Sequence, residues 1–188
     1  MTCIVGIAHQ GRVWIGADSA GVAGHSLTRR RDEKVLVNGP FIMGFTSSFR
    51  MGQLLAHAFT PPRFHPDSDV YAFMVTDFIN AIRECFKQGG YAEKHNEAER
   101  GGTFLVGFMG RLFYVDSDYQ VGESVDGFDA CGSGADIALG ALFANTKADA
   151  APRDRIMTAL QAAATYNTCV CDPFHVLFGG QVRQGGDA

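Results

Sequence analysis

Thr2 follows Met1 directly, and aminopeptidase removal of an initiator Met is expected when the next residue is small. A mature chain starting at Thr2 carries a hydroxyl and a free α-amine on one residue. An α-amine titrates near about 7.7–8.0, so at neutral pH part of it is unprotonated and can act as a base. One residue then supplies both the attacking oxygen and its proton acceptor, the Thr–N-terminal-amine form of an activated nucleophile. Asp18 and Lys34 are placed to join it. Asp18 ends the second strand of a hairpin whose first strand starts at Thr2, so the chain returns it beside Thr2. Lys34 opens the next strand after the acidic pair Asp32-Glu33. An ammonium beside the hydroxyl favours the alkoxide and, through like-charge repulsion, holds the α-amine neutral. A carboxylate beside that ammonium keeps it charged and fixes its direction. Taken singly these are a strand threonine, a turn aspartate and a solvated lysine; their joint spacing singles them out.

Other reactive groups fit ordinary roles better. Cys3 is a rival nucleophile, since a thiolate is the better attacker, but its nitrogen stays an amide unless two residues are removed, and a buried strand position suits it. Cys169, Cys171, Asp172 and His175 have zinc-ligand chemistry, and on an extended segment Cys169, Cys171 and His175 share a face. Pro173 interrupts that segment and no second ligand pair accompanies it, so no metal is expected. Arg29-Arg30-Arg31 is followed at once by Asp32-Glu33, which reads as a solvated or inter-subunit loop rather than a nucleic-acid patch. Gly132-Ser133-Gly134 lacks the lysine of a phosphate loop.

These side chains need elements to hold them. Apolar, β-branched runs at 2–8 and 13–17 flank His9-Gln10-Gly11-Arg12, and a second pair at 34–38 and 41–46 flanks Gly39-Pro40; both read as hairpins. Residues 21–31 read as a polar, basic loop with an exposed strand edge. Met51, Leu54, Leu55 and Ala58 predict a helix over 50–59 ended by Pro61-Pro62. Tyr71, Met74, Val75, Phe78, Ile79, Ile82 and Phe86 predict a longer one over 69–87 ended at Gly89-Gly90. Residues 91–101 read as a surface loop, and strands follow at 103–109 and 111–115. A short stretch at 127–131 leads to a helix capped by Ser133 or Asp136 and running to about 143. Pro152 starts a helix through about 166, and 174–178 is a last strand. The glycine-rich tail from 179 is expected to be mobile. Strands alternating with helix pairs suit two stacked antiparallel sheets with helices on both outer faces, an α+β fold rather than a parallel βαβ one.

Composition agrees with a globular protein. The chain has 188 residues, 46% hydrophobic and 19% charged, enough for one domain with a real core and no internal boundary or repeat. Sixteen Lys+Arg against twenty Asp+Glu give a net charge of −4, which argues against a nucleic-acid binder. No apolar stretch is long enough for a membrane span. Five cysteines, an odd and scattered set, suit free thiols in a reducing cytoplasm.

Thr2-Cys3-Ile4-Val5-Gly6-Ile7, Gly16-Ala17-Asp18-Ser19, Lys34-Val35 and Gly132-Ser133-Gly134 together resemble the β-type subunits of the proteasome and bacterial HslV, which are N-terminal-nucleophile (Ntn) hydrolases. The resemblance runs to about Ser48, thins over the helices and recovers from Gly102 to Ala144. It implies a four-layer αββα sandwich and a threonine peptidase without a cofactor, with Thr2 as nucleophile, Lys34 tuning its hydroxyl, Asp18 orienting Lys34 and Ser133 bonding near the α-amine. It further implies a homo-oligomeric ring that encloses the sites, peptide or unfolded-protein substrates and, if one exists, a separate ATPase activator. Two positions depart from the pattern. The family's oxyanion donor is a backbone N–H in a Gly-Gly segment, here Ser47-Ser48; Ser48 still offers an N–H, but a positive φ is harder for serine than for glycine. The family's supporting aspartate before the last strand is here Tyr166 or Asn167, neither of them charged at pH 7. A small-molecule amidase using the same Thr2 chemistry and a non-catalytic ring-forming scaffold are the alternatives.

Overall fold

Ile4 faces Ala17 and His9 faces Arg12 in the opening hairpin, β1 (Ile4–His9) with β2 (Arg12–Ala17). Its turn is the two residues Gln10 (φ 49°) and Gly11 (φ 71°), both left-handed as a tight hairpin turn requires. The computed structural model describes residues 2–95, 98–147 and 150–181. After β2 come β3 (Ala20–Ala23), β4 (Ser26–Arg29), β5 (Val35–Asn38) and β6 (Phe41–Phe45). Helix α1 (Phe49–His57) is followed by α2 (Val70–Phe73), a π-helical turn (Met74–Phe78) and α3 (Ile79–Gln88). Then come β7 (Glu93–His95), β8 (Ala98–Arg100), β9 (Phe104–Phe108), β10 (Arg111–Val115), β11 (Val121–Glu123), β12 (Phe128–Cys131), α4 (Ala135–Ala144), α5 (Pro152–Tyr166) and β13 (His175–Gly179).

Two antiparallel sheets carry the architecture, one ordered β12-β1-β2-β13 and the other β11-β10-β9-β6-β5. Alternation along β1 sends Cys3, Val5 and Ile7 outward to an alanine-rich layer with Ala138, Leu142, Ile156, Ala159, Leu160 and Ala163 of α4 and α5. Ile4 points the other way, into the seam between the sheets with Val13, Ile15, Ile42, Leu105 and Leu112. The second sheet covers its outer face with an aromatic layer of Phe41, Phe73, Phe78, Phe86, Phe104, Phe108 and Phe113 under α1–α3. Phe41 and Phe108 stack with centroids 4.4 Å apart. Each fully buried phenylalanine contributes about 1.5–3 kcal/mol relative to exposure. The layers are therefore helix, sheet, sheet, helix, the expected αββα sandwich. Where the sheets' hairpin tips meet, a Cβ on Gly110 (φ 75°) would lie 3.0 Å from the backbone of Gly11, so only glycine allows that approach.

Several local expectations are corrected. Residues 21–31 are mostly a hairpin, β3 with β4, in which all four β4 residues are exposed. Polar composition hid a ladder whose side chains face water. Residues 93–95 and 98–100 are likewise short paired strands rather than a loop, and β11 carried too short a signal to be seen. The long helix is continuous in sequence but contains a π-helical turn. That wider turn brings Met74 and Phe78 into line and leaves Tyr71 and Val75 exposed, although their spacing placed them on the apolar stripe. The N-cap of α4 is Gly134, without a side-chain bond, so neither Ser133 nor Asp136 caps it. Of the tail expected to be mobile, 182–188 lie outside the described residues, while the carbonyl of Gly180 accepts the Gly110 N–H at 2.5 Å.

Candidate active site

Thr2 lies two residues before the first residue of β1, on the same alternation as Ile4, so its side chain enters the mouth of the seam between the sheets. Asp18 lies one residue after β2, opposite Cys3; the Asp18 N–H donates to the Cys3 carbonyl at 3.3 Å. Lys34 comes from the other sheet, one residue before β5. Its Nζ donates to Thr2 Oγ1 at 3.0 Å and to Asp18 Oδ1 at 2.9 Å. Thr2 is 4% exposed, Asp18 1% and Lys34 2%.

A buried ion pair holds only when its remaining lone pairs are satisfied, and the Asp18 carboxylate meets that condition. Oδ1 also accepts the Cys3 N–H at 2.9 Å, and Oδ2 accepts the Ala20 N–H at 2.9 Å and the Cys171 N–H at 3.5 Å. Burial pulls the Lys34 pKa below its ordinary 10.5, against the neighbouring Asp18 carboxylate, which raises it. Burial also pushes the Cys3 thiol up to about 12, with the Asp18 charge adding to the effect. Cys3 therefore stays a neutral thiol packed under α4 and α5, unsuited to attack.

On the other side of Thr2 stands the turn between β12 and α4. The Thr2 N–H donates to Ser133 Oγ at 3.2 Å, and the Thr2 carbonyl accepts from the Gly134 N–H at 3.2 Å and the Ser133 hydroxyl at 3.4 Å. Gly132 has φ 97°, and a Cβ there would overlap the Thr2 carbonyl, so this close approach needs glycine. Behind Ser133 stands Asn167. Its Nδ2 donates to the Ser133 carbonyl at 2.7 Å and its Oδ1 accepts the Cys169 N–H at 2.9 Å. Of the two residues expected in place of the family's aspartate, Asn167 is thus the one that reaches the site; Tyr166 is 79% exposed.

Ser48 is the N-cap of α1, its Oγ accepting the Arg50 N–H at 3.1 Å. Its own N–H, the expected oxyanion donor, donates to the Thr46 carbonyl at 2.6 Å across a turn centred on Ser47. Ser47 holds φ 60°, the left-handed region that costs a non-glycine residue free energy, and its Oγ accepts the Thr103 N–H at 3.2 Å. The Cys169–His175 segment is spread rather than clustered. Asp172 pairs with Arg29 at 2.7 Å and His175 with Glu33 at 3.1 Å, and strand β13 begins only at His175. Among the described residues no group of three or more His, Cys, Asp or Glu is arranged to hold a metal.

What sequence reasoning missed is the hold on Ser19 by the 167–173 loop. Its Cys171 carbonyl accepts the Ser19 N–H at 3.0 Å and its Pro173 carbonyl accepts the Ser19 hydroxyl at 2.6 Å. Backbone contacts of this kind leave no trace in residue type, apart from the small polar Ser19 beside Asp18.

No family model and no curated protein matches the sequence. Solved structures do match over nearly the whole chain. BPH from Thiobacillus denitrificans is 22% identical over 97% of this chain and 100% of that one, with a TM-score of 0.81; its complex with epoxomicin scores 0.80. HslV from Trypanosoma brucei is 16% identical over 94% of this chain and 98% of that one, at 0.67. The fold is that of the HslV-like Ntn hydrolases. Anbu, the ancestral beta-subunit, from Yersinia bercovieri shares it at 13% identity and a TM-score of 0.65, over 95% of this chain and 81% of that one. The expected resemblance and the expected four-layer architecture are both borne out. No helix among the described residues is long and apolar enough to cross a membrane.

Proposed function

We propose that the protein is a threonine peptidase that cleaves peptide bonds with Thr2 after Met1 is removed, working without a cofactor in the cytoplasm inside a ring of its own copies. The observation that carries this reading is the buried chain Asp18–Lys34–Thr2, with Lys34 Nζ 3.0 Å from Thr2 Oγ1. In the proposed cycle Thr2 Oγ attacks the scissile carbonyl carbon, and its proton passes to the α-amine that Met1 removal has freed. The Lys34 ammonium stabilises the developing alkoxide. The tetrahedral adduct collapses with cleavage of the C–N bond, and the α-ammonium gives its proton to the leaving amine. Water then attacks the Thr2 ester with the α-amine as base, releasing the acid and restoring the hydroxyl. Ser133 holds the nitrogen of Thr2 in place for both transfers. The substrate would be a peptide or unfolded protein, and any ATPase that feeds the ring would be a separate chain.

A second reading, a ring-forming scaffold without activity, draws on the Ser47–Ser48 turn. A Ser48 N–H already given to Thr46 must exchange that bond before it can serve an oxyanion, and one oxyanion donor is worth about 2.7–4 kcal/mol of barrier.

Intact-mass measurement and a fluorogenic peptide panel separate the two. The expected result is a mass lacking Met1 and turnover that falls by at least about 10³-fold in Thr2→Ala, the scale of nucleophile removal elsewhere. An epoxyketone such as epoxomicin presents two adjacent electrophilic centres, which match a hydroxyl and an amine on one residue, and should label the wild type but not Thr2→Ala. A retained Met1, or turnover unchanged in Thr2→Ala, overturns the peptidase reading. Native mass spectrometry tests the ring, and a stable monomer counts against it.

A further inference from the structure

Arg30 ties together three pieces of chain around Lys34. Its backbone N–H donates to the Ser19 carbonyl at 3.1 Å. Its aliphatic stem lies over Gly21, where an added Cβ would come within 2.9 Å of the Arg30 Cδ. Its Nε and Nη2 donate to the two carboxylate oxygens of Asp32 at 2.7 and 2.6 Å. Its guanidinium stands 3.8 Å above the ring of Phe49. That ring also faces the Lys34 ammonium, at 5.8 Å, so it sits one lysine head away from Thr2 Oγ1. Phe49 is backed by Phe45, edge-on at 6.0 Å, and Phe45 is buried in the aromatic layer. Phe49 itself is half-buried at the edge of that layer.

We propose that the Arg30–Phe49 stack is the wall that meets the substrate side chain next to the attacked carbonyl, and that it restricts this side chain to small residues such as alanine, serine or glycine. The proposal rests on the reading of Thr2 as nucleophile, which places a substrate carbonyl beside Lys34. A leucine or phenylalanine side chain would have to displace a guanidinium that is paired with Asp32 at the surface and stacked on the Phe49 ring. Asp32 neutralises the guanidinium, so the wall selects by size and not by charge. Specificity here is steric exclusion built from this chain's own side chains.

The test uses acetylated tripeptide aminocoumarins ending in Ala, Leu, Phe or Arg, turned over by the wild type, Phe49→Ala and Arg30→Ala. The matching tripeptide acids are titrated calorimetrically against Thr2→Ala with and without each wall substitution. The expected wild-type result is at least about tenfold higher kcat/KM and tighter binding for Ala than for the bulky residues. Either wall variant should shrink that preference to within about threefold or reverse it. Equal or better handling of bulky residues by the wild type, an unchanged ranking in both variants, or no binding of any peptide overturns the proposal. Ranked binding without turnover supports the wall while refuting Thr2 as nucleophile, so the two failures are distinguishable. Arg30, with 38% of its side chain exposed, keeps the test valid should Phe49→Ala fail to fold.

Discussion

Two opposite charges meet the side chain of Thr2, Lys34 directly and Asp18 behind it, and both are almost wholly shielded from water. Its backbone is met instead by neutral groups, the Ser133 hydroxyl and the Gly134 N–H, with the Asn167 carboxamide behind them. The charged half is a closed network from two sheets, in which each partner exists to satisfy the other. The neutral half is assembled from turns and remains partly exposed. A buried pair is costly to break and hard to vary, whereas single neutral bonds can be exchanged one at a time. Under the proposed mechanism, stability and chemistry are therefore fused on one side of Thr2 and separable on the other.

The largest loss is expected at Lys34. Lys34→Ala leaves Asp18 buried without its cation and should cost about 3–5 kcal/mol of stability, together with nearly all peptide hydrolysis. The Lys34→Ala/Asp18→Ala pair should regain part of that stability in urea unfolding, and a double mutant as unstable as the single one would show that the charges do not act as a pair.

A pH profile sharpens the same side. Burial lowers the Lys34 pKa below 10.5, so between that lowered value and 10.5 the unfolded chain holds a proton that the folded one does not. The burial penalty carried by Lys34 at neutral pH is thus relieved as pH rises through this window, and its contribution to stability increases. The proposed activity should run the opposite way, because the ammonium that would favour the Thr2 alkoxide is lost. The kcat/KM profile should show an alkaline limb set by Lys34 below pH 10.5, and Lys34→Arg, which retains its charge, should move that limb upward or abolish it in whatever activity remains.

The smallest expected effect is on the neutral side. Asn167→Ala removes the donor to the Ser133 carbonyl and should cost about 1–2 kcal/mol, with a fall in kcat and intact binding of an Ala-ending tripeptide acid. Loss of stability as large as that of Lys34→Ala would erase the distinction between the two halves.

Legibility in the sequence follows the same division. The positions of Thr2, Asp18 and Lys34 were readable because they flank strands with clear apolar patterning, and a hairpin with a two-residue turn fixes what lies opposite what. Pro152 and Gly89 likewise marked helix ends by backbone chemistry alone. Ser133 beside the nitrogen of Thr2 was legible only through the family resemblance; local propensity favoured a cap and holds no information on a partner 131 positions away. The 167–173 loop acts on Asp18 and Ser19 through backbone atoms, which every residue type possesses. Arg30 and Phe49 looked like a basic run and the residue before a helix; only tertiary folding stacks them. The π-helical turn shifted the phase of a stripe that assumed 3.6 residues per turn, and exposed β4 had no apolar alternation to betray it.

The amide joining Thr2 to Cys3 is tethered at both poles: its carbonyl is held by the Gly134 N–H and its N–H by the Asp18 carboxylate. Most polypeptide ends fray over several residues. Here, cutting the bond ahead of Thr2 would sacrifice neither tether. The newly liberated tip would emerge already immobilised, its nitrogen beside the Ser133 hydroxyl.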